Sequence, residues 1–274
     1  MGHQRVGSVP KTKKWTSVVE KITGGGAGAG TQSGTSDSFK TPAVADVARE
    51  ILVAAEEGLL DVKNDSGFRY TVYLLTQVVL AARQEDWLTG LGGLGIHLDA
   101  TATVFDLTGE VHRVIEEHRK RHRGSATIGE MAQQAAGDAI TFLAKDNAIT
   151  LFGSGRDELQ EAVKKLSTKA GFSDLGQRFF GNFTARFLDF YASRIVPKQA
   201  GQPGFKTAGD FGEFRQALFD HCHQSAKIVH DFCGQWYSKT EWEKGIDQQN
   251  IVGLVSHAID KMRDELKIQR GEVG

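Results

Sequence analysis

Hydrophobic residues recur at intervals of three and four through most of the chain after residue 40. This spacing places them on one side of an α-helix, whereas a half-buried strand would alternate every second residue. The pattern therefore predicts an all-α fold, a multi-helix globular bundle of about eight helices separated by polar or glycine-containing turns. One of these helices is expected to begin at Thr41 and to stop at Gly58.

Residues 210–239 combine the helical pattern with both cysteines and three of the nine histidines. The apolar stripe of this segment consists of Phe211, Phe214, Leu218, Cys222, Ser225, Val229, Phe232 and Trp236. The polar groups on its flank are Asp220, His221, His223, His230 and Asp231. The pattern predicts one core helix, and we expect the rest of the chain to be organised around it.

The candidate metal ligands in this helix are His223, His230 and Cys233. His230 and Cys233 are three residues apart, but on one helix His223 and His230 would lie about 10 Å apart along the axis. Structural zinc sites usually join close pairs of ligands from two places in the chain, and the sequence offers no second pair. We therefore expect no metal and no cofactor, with Cys222 and Cys233 packed as small buried hydrophobic residues.

Residues 1–23 form a basic N-terminal arm that ends in a predicted short helix. The helical spacing is that of Trp15, Val18, Val19 and Ile22. A tryptophan among basic residues suits a single nucleic-acid strand or an acidic groove on a protein. The candidate binding residues of the arm are Arg5, Lys11, Lys13, Lys14 and Trp15.

Residues 24–40 consist mostly of glycine and small polar residues. Such a segment cannot bury enough surface to fold, so we expect a flexible tether between the arm and the body. A short helix is marginally stable alone in water, and its attachment to a long tether favours a role as a docking element.

A second basic run follows a predicted amphipathic helix and precedes Gly124. Its candidate contacts to nucleic-acid phosphates are Arg119, Lys120, Arg121 and Arg123. Clustered cations bind phosphates without regard to base sequence. Cations in the last turn of a helix also compensate its dipole, and glycine is common just beyond a helix C terminus, so the run is compatible with either role.

Residues 197–209 contain two of the four prolines and are expected to be a linker. They would join a main helical body, residues 41–196, to a C-terminal helical pair, residues 210–274. Within the body, residues 90–95 match the G-x-G-x-x-G pattern of nucleotide-binding turns, but the preceding residues look helical and no β-α-β pattern surrounds them. We expect a loop or a short strand there.

Charge and cysteine content restrict the function further. The 33 basic and 34 acidic residues give a formal net charge of -1, which removes whole-molecule attraction to nucleic acid or anionic lipid. The two cysteines and the lack of a recognisable secretory signal favour a cytoplasmic protein. The sequence contains no run of about eighteen apolar residues, the length that a membrane-spanning helix needs, so we expect no membrane partner.

The sequence contains none of the H-E-x-x-H, G-x-S-x-G or paired-cysteine patterns of common catalytic and zinc sites. The leading hypothesis is a non-enzymatic helical interaction subunit of a larger protein assembly, which docks partners through its N-terminal arm and a helical face. The alternative is a nucleic-acid-binding accessory protein that uses the arm and the basic run. A metal-dependent enzyme centred on the histidine and cysteine cluster is the third hypothesis.

Overall fold

The computed structural model describes residues 44–122, 124–145, 156–202 and 205–270. Helices account for all the regular secondary structure in these ranges, which confirms the predicted all-α fold. The predicted arm and tether, residues 1–23 and 24–40, lie outside the described residues.

The helices are, in chain order, α1 (Val44–Val62), α2 (Ser66–Ala81), α3 (Trp87–Gly93), α4 (Val104–Arg121), α5 (Ala126–Lys145), α6 (Arg156–Leu166), α7 (Lys169–Ile195), α8 (Ala208–Ser225), α9 (Lys227–Lys244) and α10 (Gln248–Arg270). A 3-10 turn, Val196–Gln199, follows α7. Several helices start at a side chain that accepts a hydrogen bond from a backbone N–H of the first turn: Asp65, Thr103, Thr168 and Thr207. None of the helices in the described ranges has the length and hydropathy needed to cross a bilayer.

The 27-residue helix α7 lies at the centre of the fold and packs against α1, α5, α6, α8 and α9. Its buried aromatic residues are Phe172, Phe179, Phe180, Phe183 and Phe187. Phe68 of α2 packs among three of these rings, at centroid distances of 4.5, 5.5 and 5.9 Å. The chain is therefore organised around α7 and not, as the sequence pattern suggests, around residues 210–239.

Glycine residues let α9 approach α7 closely. A Cβ atom at Gly234 of α9 would collide with the carbonyl oxygen of Lys169 and the hydroxyl of Ser173 on α7. On α7 itself, a Cβ atom at Gly176 would lie 2.6 Å from the Sγ atom of Cys233. Because neither glycine position has room for a methyl group, the two helices pack with their backbones nearly in contact.

The single helix predicted for residues 210–239 is divided in the structure into α8 and α9. The division falls at Ala226, whose ψ of -8° departs from the ideal helical value. The hydroxyl of the preceding residue, Ser225, donates to the carbonyl oxygen of His221 one turn earlier, a bond that commonly bends helices. The spacing of three and four continues through the bend, so the sequence pattern does not reveal it. The expected C-terminal pair is accordingly three helices, α8, α9 and α10.

Helix α1 continues through Gly58 to Val62 and does not stop at this glycine as expected. A Cβ atom at Gly58 would lie 2.9 Å from the ring of Phe187 on α7, and it would also collide with the hydroxyl of Tyr191. Glycine at this position therefore allows α1 to pack closely on α7, and it does not end the helix.

The glycine-rich segment around residues 90–95 is neither the loop nor the strand expected from the sequence. Its first part belongs to the short helix α3, which Asp86 caps and which buries Trp87 and Leu91. Gly95 follows the helix with a φ of 81°, the left-handed conformation that glycine adopts without strain.

The predicted linker, residues 197–209, carries a buried aromatic residue. The ring of Phe205 lies 5.4 Å from that of Phe211 and 5.5 Å from that of Phe214. Buried side chains before and after this segment belong to the same hydrophobic cluster. The division of the chain into a body and a C-terminal part stays a prediction.

We expect Gly234→Ala to destabilise the protein by about 1–3 kcal/mol, because the added methyl group forces α9 away from the backbone of α7. The matched control is Gly253→Ala in α10, where an added Cβ atom would meet no described atom within 4 Å. Alanine at this control position should stabilise the helix by up to about 1 kcal/mol. Urea unfolding followed by circular dichroism measures both changes, and equal effects would contradict the close α7–α9 contact.

Candidate functional site

The structure does not bring the three candidate metal ligands together. His223 belongs to α8 and packs on Gly181 of α7, whereas His230 of α9 lies 3.4 Å from a carboxylate oxygen of Asp174. Cys233 is buried in the contact between α7 and α9. Among the residues that the structure describes, no group of three or more His, Cys, Asp or Glu side chains is placed to hold a metal ion.

Both cysteines are buried, as the sequence predicts. Burial raises the pKa of the Cys222 thiol, and it raises the pKa of the Cys233 thiol to about 12, so both stay protonated at neutral pH.

His221 is buried with 7% of its surface exposed, although the sequence pattern places it on the polar flank. Helix α8 contacts both α7 and α10, so its buried face is wider than a single stripe and includes this ring. Burial lowers the pKa of His221 to about 4, and the ring is therefore neutral at physiological pH.

The basic run at the end of α4 is engaged in hydrogen bonds and ion pairs within the chain. Arg119 donates to three acceptors: Glu116, Gln133 and the carbonyl oxygen of Ala126. Lys120 and Arg121 are exposed, and each lies near a glutamate carboxylate one turn earlier, at 3.7 and 3.4 Å. The candidates that lie outside the described residues are Arg123 and the arm residues Arg5, Lys11, Lys13, Lys14 and Trp15.

Three aromatic rings stack beside this basic run. The ring of Tyr70 on α2 lies 3.7 Å from that of His118, which lies 4.0 Å from that of His122. Burial, and then the charges of His122 and Arg121, lower the pKa of His118 to about 4. The outermost ring, that of His122, is exposed and adjoins the cations of the run.

A long surface groove follows α7 between α5 and α8. Ion pairs hold both of its walls, because Asp138 of α5 pairs with Arg186 of α7, and Asp189 of α7 pairs with Arg215 of α8. Two cavities of about 470 and 480 Å³ lie in succession along α7, the first lined by residues of α5, α7, α8 and α9 and the second by residues of α7 and α8. We call this surface, which extends from Asp174 to Asp189 along α7, the α5/α8 groove.

Two small residues of α7 shape the α5/α8 groove. A Cβ atom at Gly181 would lie 2.8 Å from Nδ1 of His223, so glycine lets α8 lie close to α7 at this point. One turn further along α7, Ala185 lines the second cavity. The short side chain of Ala185 leaves the second cavity open to side chains of another molecule.

A partly exposed phenylalanine stands in each wall of the groove. Phe142 of α5 is 44% exposed, and the guanidinium carbon of Arg178 lies 3.4 Å from its ring centre. Phe219 of α8 is 37% exposed, and its ring centre lies 4.3 Å from that of His223. Both rings contact neighbouring side chains on one side and present apolar surface to solvent on the other.

Positive and negative charges along the groove balance. The basic side chains are Arg178, Arg186, Arg215 and Lys227, and the acidic ones are Asp138, Asp174, Asp189 and Asp220. Arg215 makes two hydrogen bonds of 2.7 Å to Asp189. His223 adds no charge at neutral pH, because burial and then the nearby Arg178 lower its pKa to about 4 against the opposing effect of Asp220.

The sequence pattern does not reveal this groove, because α5 and α8 also carry regular buried stripes. The sequence signal for the groove is a departure from those stripes. Phe142 and Phe219 are large apolar residues that lie outside the buried positions of their helices. The position of these two residues outside the buried stripes indicates exposed aromatic surface. The spacing within one helix does not reveal that α5 and α8 both pack on α7.

Comparisons with protein-family models, with curated proteins and with solved structures found no match to this chain. A functional proposal therefore rests on the geometry of the described residues. The α5/α8 groove is the strongest candidate site, because it combines a concave surface, exposed aromatic rings and ordered ion pairs.

We expect acid to destabilise the protein between about pH 6.5 and pH 4. In the folded state the pKa values of His118, His221 and His223 are lowered from 6.5 to about 4. The unfolded chain binds more protons than the folded chain in this window, so the stability present above pH 6.5 is lost as the pH falls towards 4. Urea titrations at about pH 7.5 and pH 5 measure the loss in the free energy of unfolding.

His223→Gln should reduce this difference between the two pH values, because it removes one of the three ionising rings. The matched control is His97→Gln, at an exposed position outside the groove. If His223→Gln changes the difference no more than His97→Gln does, the prediction that His223 is neutral in the folded state is wrong.

Proposed function

We propose that this chain is a non-enzymatic interaction protein that holds an α-helix of a partner protein in the α5/α8 groove. The observation that carries the proposal is the pair of partly exposed phenylalanines, Phe142 of α5 and Phe219 of α8, which line two successive cavities along α7. Single exposed apolar residues are common on protein surfaces, but aromatic residues grouped around a concave surface are typical of binding sites.

The dimensions of the groove support a helical partner. Between Asp174 and Asp189 the floor follows α7 for about 22 Å at 1.5 Å per residue, the length of about four helical turns. A helix laid along it would bring apolar residues of successive turns to Phe142 and then to Phe219.

The balance of charges supports a protein partner over a nucleic acid at this site. Binding to a phosphate backbone needs an excess of cations, whereas Arg186 and Arg215 are already paired with aspartates here. Mixed charges along the rim suit the polar edges of an amphipathic helix and would set its orientation. The proposal also includes a place in a larger assembly and a cytoplasmic location. The two buried free cysteines support the location, because they suit a reducing compartment.

Photo-crosslinking in cells tests the proposal. We expect p-benzoylphenylalanine in place of Phe142 or of Phe219 to crosslink the full chain to the same partner protein. The matched control carries this amino acid in place of Phe105, which is 55% exposed on α4 outside the groove. Mass spectrometry of the crosslinked peptide should identify a segment whose apolar residues have helical spacing.

The crosslinked segment, made as a peptide, then provides a binding assay. Phe142→Ser and Phe219→Ser should each weaken its binding by at least about 10-fold, because each removes an aromatic anchor. Phe105→Ser should leave the affinity unchanged. The proposal fails if Phe105 captures the same segment equally well, if the groove positions capture nothing, or if both groove substitutions leave the affinity unchanged.

A second candidate function is nucleic-acid binding at the end of α4, which the stacked rings of Tyr70, His118 and His122 favour. The exposed ring of His122 adjoins the exposed side chains of Lys120 and Arg121. Proteins bind single strands through this combination of a stacking surface and positive charge.

For this second function we expect the full chain to bind a single-stranded oligonucleotide with an affinity that falls as salt rises. Replacing Lys120 and Arg121 by alanine should reduce the slope of log K against log salt by about 1.4, which corresponds to two phosphate contacts. The control replaces Lys164 and Lys165, at the end of α6, by alanine. Fluorescence anisotropy measures the slopes, and equal slopes or no binding at low salt would exclude this site.

A further inference from the structure

We propose that the basic segment of residues 11–22, which contains the predicted short N-terminal helix, docks as a helix on the outer face of α1 within the same molecule. That face carries two exposed apolar residues beside a row of exposed carboxylates. The proposal does not rest on the α5/α8 groove, which is built from other helices.

Helix α1 has two distinct faces. The inner face packs on α7 and α10 through Val47, Ala48, Ile51, Leu52, Ala55, Leu59 and Val62, all of which are buried. On the opposite face, Val53 and Leu60 are 50% and 42% exposed. They are two turns apart, so they lie on the same side of the helix.

The outer positions follow the alternating steps of four and three residues that form the seam of a coiled coil. These positions are Asp46, Glu50, Val53, Glu57 and Leu60. Asp61 adds a further exposed carboxylate at the edge, and Arg49, whose side chain is 17% exposed, pairs with Asp46. Three exposed carboxylates thus lie along the face with no ion pair to a described cation within 4 Å: Glu50, Glu57 and Asp61. Two exposed apolar residues beside such a row of carboxylates complement a basic amphipathic helix.

The N-terminal segment has the matching composition. Four of its residues follow the same steps of four, three and four: Lys11, Trp15, Val18 and Ile22. Its other basic residues are Lys13, Lys14 and Lys21, and its one acidic residue is Glu20. Pairing with α1 would cover Val53 and Leu60 with Trp15 and would place lysines beside the row of carboxylates.

The connection between the two helices favours docking within one molecule. Residues 23–43 separate Ile22 from Val44 and are rich in glycine and small polar residues. A random coil of this length has an r.m.s. span of about 25 Å, comparable with the length of α1, which is about 28 Å. The tethered helix is therefore present at an effective concentration of about millimolar beside α1. An antiparallel arrangement places Ile22 near the start of α1 and Lys11 near its end.

Electron spin resonance on the full chain tests the proposal. Spin labels are attached at Thr12→Cys and Asn64→Cys, while the native cysteines stay unlabelled because they are buried and protonated. Antiparallel docking predicts a narrow distance distribution centred below about 25 Å. An undocked segment would give a broad distribution centred beyond about 40 Å.

Charge-reversal substitutions test whether charge complementarity causes the docking. Glu50→Lys with Glu57→Lys should convert the narrow distribution into the broad one, and both substitutions lie at exposed positions that leave the core intact. Adding Lys14→Glu and Lys21→Glu to that variant should restore the narrow distribution, because the antiparallel arrangement places Lys21 beside position 50 and Lys14 beside position 57. A broad distribution in the wild-type chain, or a narrow one that survives the first pair of substitutions, would overturn the proposal.

Dilution separates docking within one molecule from pairing between two. With about a tenfold excess of unlabelled protein, the narrow distribution should persist, because both labels belong to the same chain. Its loss on dilution would show that the segment binds α1 of a second copy, and this result would also overturn the proposal.

Discussion

The burial of α7 among the surrounding helices is the constraint on which the rest of this structure depends. A helix covered on several sides needs apolar side chains around most of its circumference, and α7 supplies them as phenylalanines. It also needs neighbours that can come close enough to exclude water. Gly58 of α1, Gly234 of α9 and Gly176 of α7 provide that closeness, because each lies where a methyl group would collide with the facing helix.

The α5/α8 groove is a consequence of the same arrangement. Helices α5 and α8 both pack on α7, and the part of α7 that lines the two cavities presents the short residue Ala185 together with charged ones. The surface between the two walls is therefore open, and Phe142 and Phe219 keep part of their rings in solvent. Ion pairs to Arg186 and Asp189 fix each wall to α7. The central helix thus supports the core and provides the floor of the candidate binding site.

Local spacing was sufficient to predict the helical class, the burial of both cysteines and the buried stripe through Phe214 and Leu218. It was not sufficient for features that depend on helices distant in the sequence. Gly58 looks like a helix stop until the rings of α7 are placed beside it, and the bend after Ser225 leaves the apolar period unchanged. The groove depends on which helices are neighbours, and periodicity within one helix carries no such information.

The most direct test of the central position of α7 is hydrogen–deuterium exchange of the full chain, read by mass spectrometry. Amide hydrogens exchange slowly where opening requires the whole fold to come apart. Peptides from the middle of α7, around Phe179 to Phe183, should be the slowest in the described part of the chain and should exchange only through global unfolding. If they exchange as fast as peptides from the outer helices α4 or α6, then α7 is not the element that holds this fold together.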